Sequence, residues 1–203
     1  MLDQKTGFVC LIVIAAILLV GGCTQPSASG AAGIPPATPQ AQAGGSAQQV
    51  LLETTMGNIT IALSPDMPIT TGHFIALVKN GTYNGVIFHR VIDGFMIQGG
   101  DPTGTGMGGS GPGGASVPIP DEFTTHNHND RGTVAMANAG PNTGDSQFFI
   151  NLVDNNYLDT KHPVFGRVTD GMAVVDAIGK VPTSGQPYNR PLTNVTIIRA
   201  EVV

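Results

Sequence analysis

Cysteine is nearly absent from this 203-residue sequence, which has only Cys10 and Cys23. Beyond Cys23 the chain can therefore form no disulfide framework, no cysteine-ligated metal site and no thiol nucleophile. Positive charge is also scarce, because 9 Lys and Arg residues are scattered along a chain with 14 Asp and Glu, giving a net charge of −5. A nucleic-acid partner is not expected, since binding to phosphates depends on clustered basic residues.

The amino terminus has the pattern of a secretion signal. Lys5 precedes an apolar run from Phe8 to Val20, which is shorter than the roughly 20 residues that a membrane-spanning helix needs. The sequence Val20-Gly21-Gly22-Cys23 resembles a lipobox, in which the signal is cut before the cysteine and the thiol then carries a lipid. We predict a signal peptide over residues 1–22 and lipid attachment at Cys23, with an uncleaved anchor helix as the alternative. Either form places the rest of the chain outside the cytoplasm, tethered to the outer face of the cytoplasmic membrane, in a periplasm or at the cell surface.

Residues 23–48 contain no charged side chain and consist almost entirely of Ala, Gly, Ser, Pro, Gln and Thr. Such a composition buries too little apolar surface to offset the entropy lost on ordering, which predicts a disordered tether. The remaining residues, 49–203, are numerous enough to form one domain with a sizeable core.

Short β-strands dominate the pattern of this domain. Ile59, Ile61 and Leu63 alternate with Thr60 and Ala62 after the turn at Met56-Gly57, which predicts a hairpin of residues 50–54 with residues 58–63. Further strands are predicted over residues 86–91, 95–99, 133–138, 147–152, 164–168 and 194–203. The apolar terminal strands are expected to be paired, because unpaired apolar edges would be exposed.

Two helices are predicted. The first begins near Pro68, places Phe74, Leu77 and Val78 on one face and stops at Gly81. The second is brief, covers residues 172–178 and is capped by Asp170. Many short strands with only two helices favour a sandwich or a barrel, and a closed barrel with helices over its openings fits the count.

Several segments carry no clear element. The glycine-rich stretch from Asp101 to Pro120 is either a flexible surface excursion or a structured binding loop, since long loops in compact domains often carry function. We expect Asp121-Glu122 to form a solvated turn, and Asp145 to be a neutral turn residue without a particular role.

The stretch FHRVIDGFMIQGGD, residues 88–101, places a single cation, Arg90, between bulky apolar residues. Few buried charges go unpaired, so Arg90 either has an acidic partner or lines the floor of a pocket.

Two more stretches extend this pattern: MANAGPNTGDSQFFI at 136–150 and YLDTKHPVFG at 157–166. Together the three resemble the signature stretches of the cyclophilins, a family of peptidyl-prolyl cis-trans isomerases, and the resemblance covers nearly all of residues 50–203. It implies a mainly β fold, a closed eight-stranded antiparallel β-barrel capped by two α-helices. It also implies an enzyme that needs no cofactor or metal, with its site on the outer face of the barrel.

The resemblance assigns residues to the site by position. It implies a catalytic set of Arg90, Phe95, Gln98, Asn138 and His162. It implies a substrate-binding set made up of pocket walls, groups that hold the peptide backbone and a neighbouring subsite: Met96, Gly104, Ala137, Ala139, Gln147, Phe149, Tyr157 and Leu158.

The chemistry agrees with an arginine and an apolar pocket. Rotation about an Xaa-Pro amide has a barrier of about 18–20 kcal/mol, because it destroys the partial double-bond character of the C–N bond. In the twisted state the proline nitrogen carries a lone pair. A fixed guanidinium that donates to this nitrogen stabilises the twisted state more than the planar one. The expected partners are proline-containing peptides and unfolded proteins whose folding rate is limited by isomerisation of Xaa-Pro bonds. A proline-binding chaperone without essential turnover is the alternative.

Tyr157 is one departure from the family, which often has Trp at this position. We therefore expect weakened binding of the cyclic peptide cyclosporin, and nothing in the sequence suggests more than a monomer. His162 is predicted as a pocket wall, because the mechanism needs no proton transfer, and His89 as a satisfied core histidine. His126 and His128 could suggest a metal site, but no third ligand is evident and an exposed loop is favoured.

Overall fold

The structure, a computed structural model, describes residues 48–203. The predicted signal peptide (1–22), the lipid-attachment site Cys23 and the predicted tether up to residue 47 lie outside the described residues, so these remain predictions. Neither helix within residues 48–203 has the length and the hydropathy needed to cross a membrane.

Residues 48–203 form nine β-strands and two α-helices, which confirms a mainly β fold. The strands are β1 (Gln49–Thr54), β2 (Gly57–Leu63), β3 (Val86–Ile87), β4 (Arg90–Ile92), β5 (Met96–Gly99), β6 (Thr133–Met136), β7 (Phe148–Asn151), β8 (Val164–Asp170) and β9 (Thr196–Val202). The helices are α1 (Pro68–Lys79) and α2 (Met172–Gly179).

The predicted hairpin is present, with β1 and β2 antiparallel and Thr54 paired to Gly57 across a two-residue turn. The terminal strands are also paired as predicted, since Val50 lies opposite Val202 in the β1–β9 ladder. Every strand pair is antiparallel, and the hydrogen-bonded order is β3-β9-β1-β2-β8-β6-β7-β5-β4.

The prediction of a closed eight-stranded barrel is wrong. The sheet is an open, strongly curled half-barrel of nine strands, because β3 and β4 form its two edges and do not pair with each other. The predicted single strand at 86–91 is interrupted at Phe88 and His89: the amide of Phe88 still donates to Val195 O, next to β9, at 2.9 Å, whereas the amide of Val91 donates to Asn189 O at 2.9 Å. The neighbouring segment contains Pro187 and Pro191, which lack the amide donor needed to continue a ladder.

Helix α1 buries the face predicted for it. Phe74, Leu77 and Val78 are buried, and the ring centroid of Phe74 lies 5.0 Å from that of Phe165 on β8. The start of the helix is held by Glu122, whose carboxylate accepts hydrogen bonds from the amides of Ile69 and Thr70 at 3.1 and 2.6 Å. The prediction of a solvated turn at Asp121-Glu122 is therefore wrong for Glu122, because a carboxylate at a helix amino terminus satisfies otherwise unpaired amides.

Helix α2 covers the predicted residues, but the prediction of Asp170 as its cap is wrong. Asp170 is the last residue of β8, and Gly171 precedes the helix with a φ of 87°. A side chain at Gly171 would also collide with the chain, since an added Cβ would lie 2.2 Å from Asn58 O. Only glycine provides both the turn and the close approach.

Candidate active site

The sheet carries apolar side chains on both faces next to β5, β6 and β7. Successive residues of a strand point to opposite faces, so Ile97, Phe148 and Ile150 enter the main core while Met96 and Phe149 point the other way. A second buried cluster forms there: Met96, Ala135, Phe149 and Leu158, with Ile92, Phe95, Ala137 and Val164 packed against it. The outer face of the sheet thus acquires an apolar floor.

A cavity of about 400 Å³ opens on this floor. We call it the proline pocket, after the ring that the resemblance to the cyclophilins implies for it. The pocket is lined by nine residues, all of them in the predicted site: Arg90, Phe95, Met96, Gln98, Ala137, Asn138, Phe149, Leu158 and His162. All nine come from the three motif stretches, and the strand register brings some of them side by side, for example Arg90 opposite Gln98 and Gln98 opposite Phe149.

Arg90 is the cation of the proline pocket. Its Nη1 lies 3.3 Å from Gln98 Oε1, and its Cζ lies 6.0 Å from the centre of the Phe95 ring. The side chain is half-buried and has no carboxylate within 4.0 Å among residues 48–203. The sequence left two alternatives for Arg90, an acidic partner or a place in the lining of a pocket. Among the described residues the structure shows the second.

A chain of amides fixes Gln98 in turn. Gln98 Nε2 donates to Gln147 Oε1 at 2.9 Å, and Gln147 Nε2 donates to the carbonyls of Gly106 and Gly108 at 3.2 and 2.9 Å. These bonds leave each glutamine one orientation, because the two ends of an amide are a donor and an acceptor. Arg90 is thus connected through two side chains to the glycine-rich loop.

His162 forms a wall, as predicted. Its ring meets Phe149 edge to face with centroids 5.3 Å apart. Nδ1 lies 3.0 Å from Met136 O, and because a carbonyl only accepts, Nδ1 carries the proton in the neutral ring. The tautomer and the ring plane are both set by this bond.

A second cavity of about 350 Å³ adjoins the pocket through Gln98, Ala137 and Asn138, and it is also lined by Ala139, which the resemblance assigned with Gly104 to the neighbouring subsite, and by Gln147, which it assigned to the peptide backbone. The Ala137 amide is occupied by Gln147 O at 3.0 Å, and Asn138 Nδ2 donates to Lys161 O at 2.8 Å. Gly104 lines neither of these two cavities. Tyr157 lies at the rim, where it stacks on Phe95 with centroids 6.4 Å apart while 64% of its surface is exposed.

The glycine-rich loop is structured, which decides between the two interpretations of residues 101–120. Asp101 is fully buried at its base, and its two carboxylate oxygens accept five hydrogen bonds. The donors are the amide and hydroxyl of Thr103 at 2.7 Å each, the Thr105 hydroxyl at 3.2 Å, and the amides of Gly106 and Gly108 at 2.6 and 3.1 Å.

These bonds stabilise the ionised form of Asp101. Burial by itself raises the pKa of the carboxyl, but the hydrogen bonds from Thr103, Gly108 and Gly106 outweigh it and lower the pKa from 3.8 to about 2. No role was predicted for Asp101 from the sequence. The pattern that could have indicated one is an aspartate followed by threonines two and four positions later, because an Asp side chain accepts hydrogen bonds from the residues of the turn that follows it.

The prediction that Asp145 is a turn residue without a particular role is wrong. It is buried, and its carboxylate accepts from the amides of Ser110 and Val117 at 2.9 and 2.8 Å and from the Ser110 hydroxyl. His73 Nε2 lies 3.4 Å away. Two carboxylates, Asp101 and Asp145, therefore hold the two halves of the loop that carries the Gln147 acceptors.

His89 is buried as predicted but is not satisfied. Only 7% of its surface is exposed, and neither ring nitrogen has a hydrogen-bond partner among the described residues. His126 and His128 are exposed, and His128 Nδ1 lies 3.1 Å from an Asp159 carboxylate oxygen. Residues 48–203 contain no group of three His, Cys, Asp or Glu side chains placed to hold a metal ion.

Comparisons with known proteins identify the family of the chain. The sequence model of the family described as "Cyclophilin type peptidyl-prolyl cis-trans isomerase/CLD" matches residues 49–202. "Peptidyl-prolyl cis-trans isomerase-like 1" of Neurospora crassa is 48% identical over 159 residues, covering 77% of this chain and 95% of the relative. The protein of the same name from Aspergillus oryzae is 46% identical over 159 residues, covering 77% and 96%.

Solved structures agree as well. The crystal structure of a Cryptosporidium parvum cyclophilin-type peptidyl-prolyl cis-trans isomerase has a TM-score of 0.71 and 33% identity, covering 77% of this chain and 98% of that one. A second structure of that protein, in the presence of the dipeptide Ala-Pro, has a TM-score of 0.71 and 34% identity, covering 77% and 99%.

Proposed function

The chain belongs to the cyclophilin-type peptidyl-prolyl cis-trans isomerases, and on this premise we propose that Arg90 is its catalytic group and that the proline pocket holds the substrate ring. The family and the activity follow from the matches above. The roles of individual residues are supported by one observation above all. A half-buried arginine, which has no carboxylate partner among residues 48–203, faces an apolar cavity and is oriented by Gln98.

In this mechanism the pocket grips the proline ring while the acyl side of the peptide rotates. Phe95, Met96, Phe149, Leu158 and His162 supply the walls, and their rigidity comes from the sheet below them. As the amide twists, the proline nitrogen gains a lone pair, and the Arg90 guanidinium donates to it. The hydrogen bond exists only in the twisted state, so it lowers the barrier without tightening the planar ground state.

The backbone of the peptide is held beside the pocket by Gln98, Ala137, Asn138 and Gln147. Asn138 is fixed by Lys161 O, and Gln147 by the loop, so these groups are oriented before substrate arrives. Pre-orientation matters because a misplaced substrate amide would not present its nitrogen to Arg90. Ala139 lines the adjoining cavity, which takes the neighbouring peptide residue.

We further propose that the enzyme works outside the cytoplasm, tethered to the outer face of the cytoplasmic membrane or at the cell surface, where it assists the folding of secreted or surface proteins. The support is the apolar run Phe8 to Val20 followed by Gly21-Gly22-Cys23 and the uncharged residues 23–48. The enzyme acts as a monomer on proline-containing and unfolded chains, and Tyr157 weakens its binding of cyclosporin.

The experiment that tests the mechanism compares isomerisation of an Xaa-Pro test peptide by the parent protein and by Arg90→Ala. We expect kcat/KM to fall by about 10²–10³, the typical effect of removing one preorganised donor. Peptide binding should be mostly retained, because the apolar walls are unchanged. Arg167→Ala is the matched control, since Arg167 is an exposed arginine of β8 that lines no part of the pocket.

Two results would overturn this assignment. If Arg90→Ala retains the parent's kcat/KM, the arginine is structural. Peptide binding without acceleration by the parent protein would instead favour a proline-binding chaperone that uses the same pocket.

A further inference from the structure

Another cavity, of about 430 Å³, borders the proline pocket and shares Arg90 and Gln98 with it. Its remaining walls come from His89, from Thr105-Gly106 of the glycine-rich loop and from the segment 184–190 that carries Arg190. We call it the Arg190 cavity. None of the assignments above uses it, and it does not belong to the subsite of Ala139, which lines a different cavity.

The charges around the Arg190 cavity are unbalanced. Residues 48–203 contain five arginines, and three of them have a carboxylate within 4.0 Å: Arg131, Arg167 and Arg199. The two without one are Arg90 and Arg190, and both line this cavity, whereas no Asp or Glu does. A protein arginine is always charged, so the cavity presents two positive groups with no anion to meet them.

Arg190 is held in place without being neutralised. Its Nη1 donates to Gly104 O at 2.7 Å, a bond that ties the 184–190 segment to the glycine-rich loop. Gly104 therefore contacts a residue that lines the Arg190 cavity, although Gly104 itself is not among the lining residues of that cavity or of the two described above. A guanidinium has five N–H donors in a flat fork, so one bond to a carbonyl leaves most of them for a ligand.

His89 adds a second sign that a partner is missing. Burial is the main cause that lowers the pKa of its ring, and the charges of Arg190 and Arg90 lower it further against the opposing effect of Asp101. The ring is therefore neutral, and its two nitrogens have no partner within the described part of the chain. Buried polar atoms are rarely left unpaired, so a polar ligand or the water that accompanies it is expected next to this wall.

We infer that the Arg190 cavity binds the side-chain carboxylate of an Asp or Glu in the same peptide whose proline occupies the pocket. The inference rests on the proposed function, because it takes the proline pocket as the anchor. Since the two cavities share Arg90 and Gln98, an extended peptide, which advances about 3.3 Å per residue, reaches from one to the other within a few residues. A planar carboxylate matches the guanidinium fork of Arg190.

The test measures binding of matched peptides by calorimetry. Each pair has the same Xaa-Pro core and carries either Glu or Gln at one position, two or three residues before or after the proline. We expect the parent protein to bind the Glu peptide about twofold to fivefold more tightly at one of these positions, the range for a partly exposed ion pair. The ratio should fall as salt is raised, because exposed charges are screened.

The variant Arg190→Gln should abolish this ratio, because it removes the charged guanidinium and keeps a polar side chain. The control Arg167→Gln removes an exposed arginine elsewhere and should leave the ratio unchanged. A Glu/Gln ratio of one at every position in the parent, or an unchanged ratio in Arg190→Gln, would overturn the inference. So would binding of inorganic phosphate that depends on Arg190 while the peptide ratio stays at one.

Turnover is read separately on the Gln peptides. If the parent does not accelerate their isomerisation, the proposed function fails, while the binding ratio still decides whether the cavity recognises a carboxylate.

Discussion

The carboxylate of Asp101 offers the sharpest test of how the site is held together. Asp101→Asn keeps the size of the side chain but replaces one acceptor oxygen with an NH₂ donor. The parent carboxylate accepts five hydrogen bonds, three of them from the backbone amides of Thr103, Gly106 and Gly108. Whichever way the asparagine turns, its NH₂ group faces at least one of these N–H groups.

The expected cost follows from this geometry. One backbone amide left without an acceptor costs about 1–3 kcal/mol, and the bonds that remain lose the strengthening of a charged acceptor, about 1 kcal/mol together. We expect the free energy of unfolding to fall by about 2–4 kcal/mol. Asp93→Asn is the control, because Asp93 is exposed and pairs only with Lys180 at the surface, so its loss should cost about 0.5 kcal/mol or less.

The substitution should also reach the chemistry. Gly106 and Gly108 supply the acceptors for Gln147, which orients Gln98 and through it Arg90. A loosened loop misplaces these groups, so we expect kcat/KM for an Xaa-Pro peptide to fall by about tenfold to a hundredfold. Urea unfolding and a peptide isomerisation assay measure the two effects on the same preparations.

Acid provides an independent measurement of the same contact. The pKa of Asp101 is lowered from 3.8 to about 2, so its contribution to stability is complete above pH 3.8 and is lost as pH falls towards 2. The parent should lose about 1–2 kcal/mol by this route, with allowance for solvent screening, and Asp101→Asn should not. Equal stability, equal kcat/KM and parallel pH profiles in the two proteins would refute the role assigned to Asp101.

Two further predictions concern distant parts of the chain. Glu122→Ala removes the acceptor for the Ile69 and Thr70 amides and should lower the free energy of unfolding by about 1–2 kcal/mol. Urea denaturation measures this loss, and kcat/KM should be unchanged. A variant as stable as the parent would contradict the capping role. In cells the parent should incorporate a labelled fatty acid and Cys23→Ser should not; a parent without label would favour an uncleaved anchor helix over lipid attachment.

Much of the active site could be predicted because it is built from contiguous motifs on strands. Arg90, Gln98 and Phe149 lie on β4, β5 and β7, and a strand fixes which of its residues share a face. Once the motifs were assigned to neighbouring strands, the alternation itself brought these side chains into one cavity. The nine lining residues of the proline pocket were all assigned by position from the resemblance of these motifs to the family.

The supporting carboxylates were not predictable in the same way. Asp101 acts within its own loop and left a readable spacing, but Asp145 reaches Ser110 and Val117 across 35 and 28 residues, and Glu122 reaches Thr70 across 52. An acidic residue in a turn reads as solvated unless its distant donors are known. Both Asp145 and Glu122 were misjudged on these grounds.

The sequence by itself determined the β-hairpin and the two helices, because each depends on local periodicity, and its motif stretches carried the resemblance from which the family and the pocket residues were inferred. Tertiary structure alone decided where the sheet ends, since the hydrogen-bond partner changes at Phe88-His89: the Phe88 amide donates to Val195 O and the Val91 amide to Asn189 O. It alone also brought Arg190 to Gly104, 86 residues earlier in the chain, and so created a positively charged cavity beside Arg90. Contacts at such separations depend on how the whole sheet curls, which no local pattern records.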